Sequence, residues 1–251
     1  MLIINSKYVI FSLKYFFFVD SPFDAKDEDV DVVKFLYCTD NSCPDGFTQQ
    51  QIMTSIIDLT IDKEALWKNI GRNSRRKIKM AQNQGVKLRF NSHYEEFYHI
   101  FMNFKHRKGF GAPFGYDIPP IDVMQSKGLL GVYEYDGEIF GGALYFLDDS
   151  NIICWNMASK RLETDEQHTK IISSANNYLT WEMMRQAKDR GIKQWNWGGL
   201  GSEEMVAKNI ALKGINQFKQ SFGGNAVTRY HYEKINSRLF QTLKNMYGWY
   251  T

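Results

Sequence analysis

Cysteine is scarce in this chain. Cys38, Cys43 and Cys154 are the three present. The first two sit close together in a polar loop with no second pair, which excludes a disulfide framework and a zinc knuckle and fits a reducing, cytoplasmic setting. His93, His99, His168 and His231 show no spacing that suits a metal, so no metal site is expected. The glycine fingerprint of dinucleotide-binding folds, a Walker A sequence and internal repeats are all missing, as is the Gly-x-Ser-x-Gly elbow of serine hydrolases. Cys154 has no signposted histidine partner, so nothing marks a covalent nucleophile.

Long hydrophobic runs are also missing. Tyr8 to Val19 is apolar apart from Ser12 and Lys14, too short to cross a bilayer, and Ser21-Pro22-Phe23-Asp24 after it offers no signal-peptidase pattern. The run reads as one or two buried strands. An integral membrane segment is therefore not expected, while peripheral association with the inner face of a membrane stays open. The net charge of +3 is too small to imply a nucleic-acid binder by itself.

What is present suits a soluble domain with a real core. The 251 residues are 43% apolar and 24% charged, an ordinary balance for a globular chain. Aromatic residues reach 15%, with 18 Phe and 14 Tyr, which points to many short strands or an aromatic-lined cleft.

The pattern of elements is mixed. Residues 1–56 read as a short strand-rich extension packed on the main domain, with strands in Tyr8 to Val19 and Val32 to Tyr37 around a loop rich in acids from Asp20 to Asp31. The main domain, 57–251, opens on a short strand at Ile56 to Leu59, with Thr60 placed to cap one helix from Asp62 to Asn83 that Gly85 stops. A strand at Val86 to Phe90 and a helix at Tyr94 to Phe104 follow, then a glycine-rich loop from Lys108 to Tyr116. Leu129 to Tyr135 and Ile139 to Phe146 form a hairpin about Asp136-Gly137, with a third strand at Ile152 to Ala158. Beyond them lie a helix at Gln167 to Arg190, a strand at Ile192 to Trp197, a helix at Ala207 to Ser221, a strand at Asn225 to Tyr232 and a last helix at Ser237 to Tyr247. The order gives an α/β (mixed α+β) chain built on one central, mainly antiparallel sheet flanked by helices.

Two segments carry chemistry. Lys68, Arg72, Arg75, Arg76, Lys77 and Lys79 follow one another with no acid between them, and on a helix Arg72, Arg75, Arg76 and Lys79 share one face. Like charges so crowded repel, so they suit a phosphate or carboxylate ligand, or else a solvated face paired with the acidic loop. Near the end, Trp195-Asn196-Trp197-Gly198-Gly199 and Phe218-Lys219-Gln220-Ser221-Phe222-Gly223-Gly224 place two glycine pairs about a lysine set between aromatic rings. A lysine held against apolar neighbours loses hydration, which lowers its pKa and sharpens its pull on a nearby carbonyl or phosphate. Gly198 in this setting offers a backbone N–H as an oxyanion donor.

These pieces resemble, in order and spacing, the FemAB-like branch of the GNAT acyltransferase superfamily. The similar stretches are Ile57-Asp58-Leu59, Leu66-Trp67-Lys68-Asn69, the basic run from Arg72 to Ala81, Gly85-Val86, Val132 to Gly137, Met157-Ala158-Ser159, and the two glycine motifs just described. The resemblance implies a GNAT-like fold and amide formation by transfer of an aminoacyl or acyl group to an amine of a cell-envelope precursor, a peptidoglycan precursor or an amino sugar of a surface polysaccharide. It implies no permanently bound cofactor and an activated donor as co-substrate, either aminoacyl-tRNA or an acyl thioester on coenzyme A or acyl-carrier protein. Residues 159–166 do not look like the pyrophosphate loop of acetyl-coenzyme A users, which disfavours coenzyme A.

The implied site has Lys219, Trp197 and Gly198 at the reacting ester. Arg72, Arg75, Arg76, Lys79, Arg107, Phe110, Asn196, Phe218 and Phe222 are then expected to bind an anionic, phosphate-bearing donor or acceptor. His106, Glu134 and Glu138 are weaker candidates for a base. Two other readings stay open: a thioester-dependent N-acyltransferase acting on a nucleotide-linked amino sugar, and a non-catalytic protein that binds RNA or another polyanion.

Overall fold

The apolar N-terminal run is two strands. β1 (Leu2–Tyr8) and β2 (Phe11–Phe17) pair antiparallel, Leu2 opposite Phe17 and Tyr8 opposite Phe11. The computed structural model describes residues 1–8, 10–22, 29–108 and 118–247. It divides into one unit of Met1–Thr54, Ala112–Pro120 and Val227–Thr251 and another of Ser55–Gly111 and Ile121–Ala226.

In the first unit, β3 (Val32–Cys38) lies parallel to β2 and antiparallel to β10 (Asn225–Ile235). All seven residues of β3, the strand expected at Val32 to Tyr37, are buried, Lys34 among them. That lysine meets Glu233 at 3.1 Å, and Lys244 of α8 (Arg238–Tyr247) closes on the same carboxylate. Burying the three charges is tolerable because each cation faces the shared anion. Phe240 of α8 packs edge-on to Phe11. His231 sits on β10 beside a register shift, its ring edge-on to Tyr37 and its Nε2 buried without a hydrogen-bond partner among the described residues.

Strand β4 (Thr48–Asp58) begins well before Ile56, the start expected from sequence. Its first half is polar and exposed, so hydrophobic patterning could not reveal it. Its last residues belong to the second unit, where the strands run in the order β4-β9-β8-β7-β6-β5. These are β5 (Lys87–Phe90), β6 (Gly128–Tyr135), β7 (Glu138–Leu147), β8 (Asn151–Ser159) and β9 (Gln194–Leu200). β5 to β8 are antiparallel, and β8 and β9 are parallel. The turn between β6 and β7 uses Asp136 and Gly137, both at positive φ, as the Asp-Gly pair implies. The expected mixed, mainly antiparallel sheet flanked by helices is what the second unit contains.

Alternation assigns the two faces. Ideal side-chain directions from Gly131 meet Leu179 and Met183 of α5 (Glu166–Asp189), while that from Gly142 meets Phe97 of α3 (Tyr94–Arg107). α5 therefore covers one face and α3 the other. On the α5 face, Tyr133, Ala143, Tyr145, Trp195 and Trp197 join the main core.

Several expected elements need correction. The helix drawn from Asp62 to Asn83 is two, α1 (Lys63–Asn69) and α2 (Arg72–Asn83), parted at Ile70-Gly71. Gly71 is extended and spends its N–H on the Ser221 carbonyl at 2.7 Å, so tertiary bonding overrides the helical periodicity. The cap of α1 is Asp62, which accepts from Ala65 N–H. Thr60 instead donates to Asp58. The helix drawn from Ala207 to Ser221 is likewise α6 (Glu203–Lys208) and α7 (Ala211–Gln220), and a short α4 (Ile121–Lys127) had no sequence counterpart.

Burial, with the Lys34 ammonium second, pushes the His231 pKa down from 6.5 to about 4. A folded pKa below the unfolded one means that the unfolded chain binds more protons between the two values. Stability is then full above pH 6.5 and lost as pH falls toward 4. His231→Phe keeps the ring and removes the titration. Denaturant titrations of both proteins from neutral pH to 4 should show the wild type losing up to about 3 kcal/mol relative to the variant. Parallel losses in the two proteins contradict the assignment.

Candidate active site

β8 and β9 pair only at Asn151–Gln194, Ile152–Trp195 and Ile153–Asn196, although both strands run on. Past that point the sheet opens, and α7 brings Lys219 to the opening. Its Nζ donates to the Gly199 carbonyl at 2.6 Å, and among the described residues no other hydrogen bond or acid meets it. Burial lowers the Lys219 pKa, against a smaller upward pull from Cys154 on β8. Cys154 itself is pushed up to about 12 by burial, so it remains a neutral thiol. Two ammonium hydrogens of Lys219 are thus unspent beside the point where the strands part.

The surroundings fix that amine. Asn216, close to Lys219 along α7, accepts from Gly201 N–H at 3.0 Å and donates to Gly201 O at 2.7 Å. This two-bond clamp ties α7 to the end of β9, and no residue of α7 is itself buried. Sequence reading missed Asn216, since a lone asparagine in an amphipathic run carries no spacing signal. It also missed Ser221, whose carbonyl takes Gly71 N–H and whose Oγ lies 2.8 Å from Ser74 Oγ. Those bonds join the last turn of the Lys219 helix to the first turn of the arginine helix.

Of the residues expected at the reacting ester, Lys219 is the one whose polar group faces the opening. Trp197 is 2% exposed and packs on Trp195, Phe218 and Phe222. Phe222 is fully buried. Trp197, expected at the reacting ester, and Phe222, expected to bind substrate, thus both stand in the core, as walls against which α7 packs. Gly198 has positive φ, and its N–H donates to Asn196 Oδ1 at 2.8 Å, so it is engaged inside the strand and is not a spare oxyanion donor. Asn196 is accordingly a brace for that turn. Phe218 is half-buried beside Trp197.

The basic cluster forms a groove of about 340 Å³, lined by Trp67, Arg72, Arg75, Arg76, Lys79, Met80 and Asn83. The inner face of α2, Ser74, Ile78 and Ala81, is buried, which turns the cations outward. Among the described residues none of the four pairs with an acid, and Asp24, Asp27 and Glu28 of the acidic loop lie outside those residues. Arg75 has a second duty, donating to the carbonyls of Trp67 and Lys68 at the end of α1. Arg76 reaches Asn73 at 3.1 Å.

The remaining candidates are elsewhere. Arg107 ends α3, the helix of the opposite face, and its Nε is 3.5 Å from Glu163. Phe110 lies outside the described residues. Glu134 is held by Arg89 and Lys87, and Arg89 lowers its pKa, while Glu138 meets Lys160, so both carboxylates are already engaged with cations.

No protein-family model matches the sequence, and no curated protein matches it. Solved structures do. FemX matches at TM-score 0.60 and 13% identity over 97% of this chain and 85% of its own. The C-terminal DUF2156 domain of a putative lysylphosphatidylglycerol synthetase from Agrobacterium fabrum matches at 0.57 and 13%, over 97% and 83%. L-PGS from Bacillus licheniformis matches at 0.54 and 15%, over 87% and 72%. The chain therefore shares the fold of these proteins, a mixed sheet flanked by helices of the GNAT-like type. At these identities the likeness speaks of fold.

The double role of Arg75 predicts a split among the arginines. Arg75→Ala should lower stability by about 1 kcal/mol through the lost bonds to the α1 carbonyls. Arg72→Ala and Lys79→Ala should leave thermal melting unchanged. Equal melting temperatures for all three variants contradict the geometry.

Proposed function

We propose that this chain is an acyltransferase that forms an amide, moving an aminoacyl or acyl group from an activated donor to an amine of a phosphate-bearing acceptor. The observation that carries the reading is the enclosed, acid-free Lys219 amine with unspent donors at the opening between β8 and β9. Maintaining a desolvated cation without a carboxylate costs stability, a cost expected where the charge acts on a ligand.

In this reading the acceptor amine attacks the donor carbonyl, the C–N bond forms as the carbonyl π pair moves onto oxygen, and that oxyanion faces the Lys219 ammonium. Collapse expels the donor's alcohol or thiol, and the amine proton leaves to that group or to water. Lys219 acts by electrostatics, aimed and held by Asn216 and the Gly199 carbonyl, because charge placed in advance requires no reorganisation during the reaction. Arg72, Arg76 and Lys79 hold substrate phosphate, with Arg75 adding its charge while bracing the helix.

A cell-envelope precursor is the acceptor class we favour, in line with the fold shared with FemX and with a putative lysylphosphatidylglycerol synthetase. The donor is aminoacyl-tRNA or an acyl thioester. A thioester enzyme acting on a nucleotide-linked amino sugar uses the same site with a different donor. A purely polyanion-binding protein would use the groove but leave Lys219 without a task.

A donor screen decides among them. Aminoacyl-tRNA, acyl-coenzyme A and acyl-carrier protein are offered with peptidoglycan precursors and nucleotide-linked amino sugars, and amide product is read by mass spectrometry. Turnover is expected with one donor class, with Lys219→Ala lowering kcat/KM about 10²-fold at near-unchanged melting temperature. Wild-type turnover by Lys219→Ala removes the proposed role, and no product with any pair favours the binding protein.

A further inference from the structure

Helices α6 and α7 form a hairpin with no buried residue on either arm. Three of its apolar side chains are exposed: Ile210, between the two helices, at 72%, Met205 at 52% and Ile215 at 46%. Exposed aliphatic groups grouped on one small element mark a docking surface more often than chance, since single exposed residues are normal but clusters are not. Lys208 and Lys213 flank Ile210, and the hairpin's acids, Glu203 and Glu204, stay in the first turn of α6, where Glu204 pairs with Lys208.

Beyond the first turn of α6 the chain runs without acids into and past α7. No acidic residue lies between Glu204 and Glu233, nor between Glu64 and Glu95. These two acid-free stretches meet in the fold, where Ser221 at the end of α7 accepts from Gly71 and touches Ser74 at the start of α2. The base of the hairpin thus adjoins α2, whose groove cations meet no acid among the described residues. An apolar tip beside a field of unpaired lysine and arginine matches a surface that is oily at depth and anionic at its boundary. RNA matches less well, because single-stranded RNA is gripped by aromatic stacking, whereas the exposed side chains of the hairpin are isoleucine and methionine and Trp67 in the groove is half-buried against Trp181.

We infer that the α6–α7 hairpin inserts into the surface of an anionic phospholipid bilayer, with the positive field of α2 turned toward the headgroups. α7 carries Ile210 before its first turn and Lys219 in its last, so one helix joins the docking tip to the opening. No described helix is long and apolar enough to cross a membrane, so the contact is peripheral and reversible. The inference concerns the surface alone and does not require acyl transfer.

The test is vesicle flotation of the full chain, without donor or acceptor. Vesicles of phosphatidylcholine with phosphatidylglycerol are compared with phosphatidylcholine alone. The protein should float with the anionic vesicles, and Met205→Asp/Ile210→Asp should reduce the bound fraction about tenfold, with melting temperature unchanged because both positions are exposed. Failure to float overturns the inference, as does flotation that the double variant leaves intact. Self-association in sedimentation velocity that the double variant abolishes, without vesicle binding, would instead assign the tip to a second copy of the chain. Binding to RNA without binding to vesicles would equally overturn the lipid assignment.

Discussion

One hydrogen bond organises the candidate site: the Lys219 amine donating to the Gly199 carbonyl at 2.6 Å. It crosses the place where two parallel strands stop pairing, and it holds a cation that burial would otherwise drive toward neutrality. A lysine that served only stability would do better with a carboxylate partner or in water. Here the partner is a single backbone oxygen, which anchors the ammonium without cancelling its charge. The Asn216 clamp on Gly201 and the rings of Trp197, Phe218 and Phe222 then limit where that ammonium points.

The same helix couples this amine to the anion groove. Ser221 ends α7 and bonds to Gly71 and Ser74, which begin α2. The break at Ile70-Gly71 is what lets α2 start there, so the interruption of one apparent helix is the feature that brings the arginines beside the lysine. Gly223, at positive φ, lies so close to the Asn69 backbone that a Cβ would approach its carbonyl to 2.8 Å. Gly223 is therefore explained by close packing against the end of α1, and Gly224 by the approach of Ser55 and Ile56 on β4.

Much of this was legible beforehand, and the failures have physical causes. The β6–β7 hairpin, the long α5 and the shared face of Arg72, Arg75, Arg76 and Lys79 follow from turn chemistry and periodicity, which are local. The lysine of the Phe218-Lys219 motif is the one that the fold brings to the opening between β8 and β9. What could not be read was long-range: the Ser221–Gly71 bond that splits α1 from α2, and the polar first half of β4, which no hydrophobic pattern marks. Gly198 looked like a donor because its sequence neighbours are permissive, yet Asn196 takes its N–H. Trp197 and Phe222 looked like lining because aromatics flank many sites, yet they are core.

The central claim is that the Lys219 amine is enclosed, acid-free and electrostatically poised. Its pKa can be measured directly, by NMR titration of isotopically labelled lysine side chains with Lys219→Arg used to assign the signal. The account predicts a midpoint clearly below the ordinary 10.5, moving back toward it in Asn216→Ala as α7 loosens and water reaches the amine. A Lys219 midpoint at or above 10.5 would mean a solvated or acid-paired lysine, and the proposed site would have lost its centre.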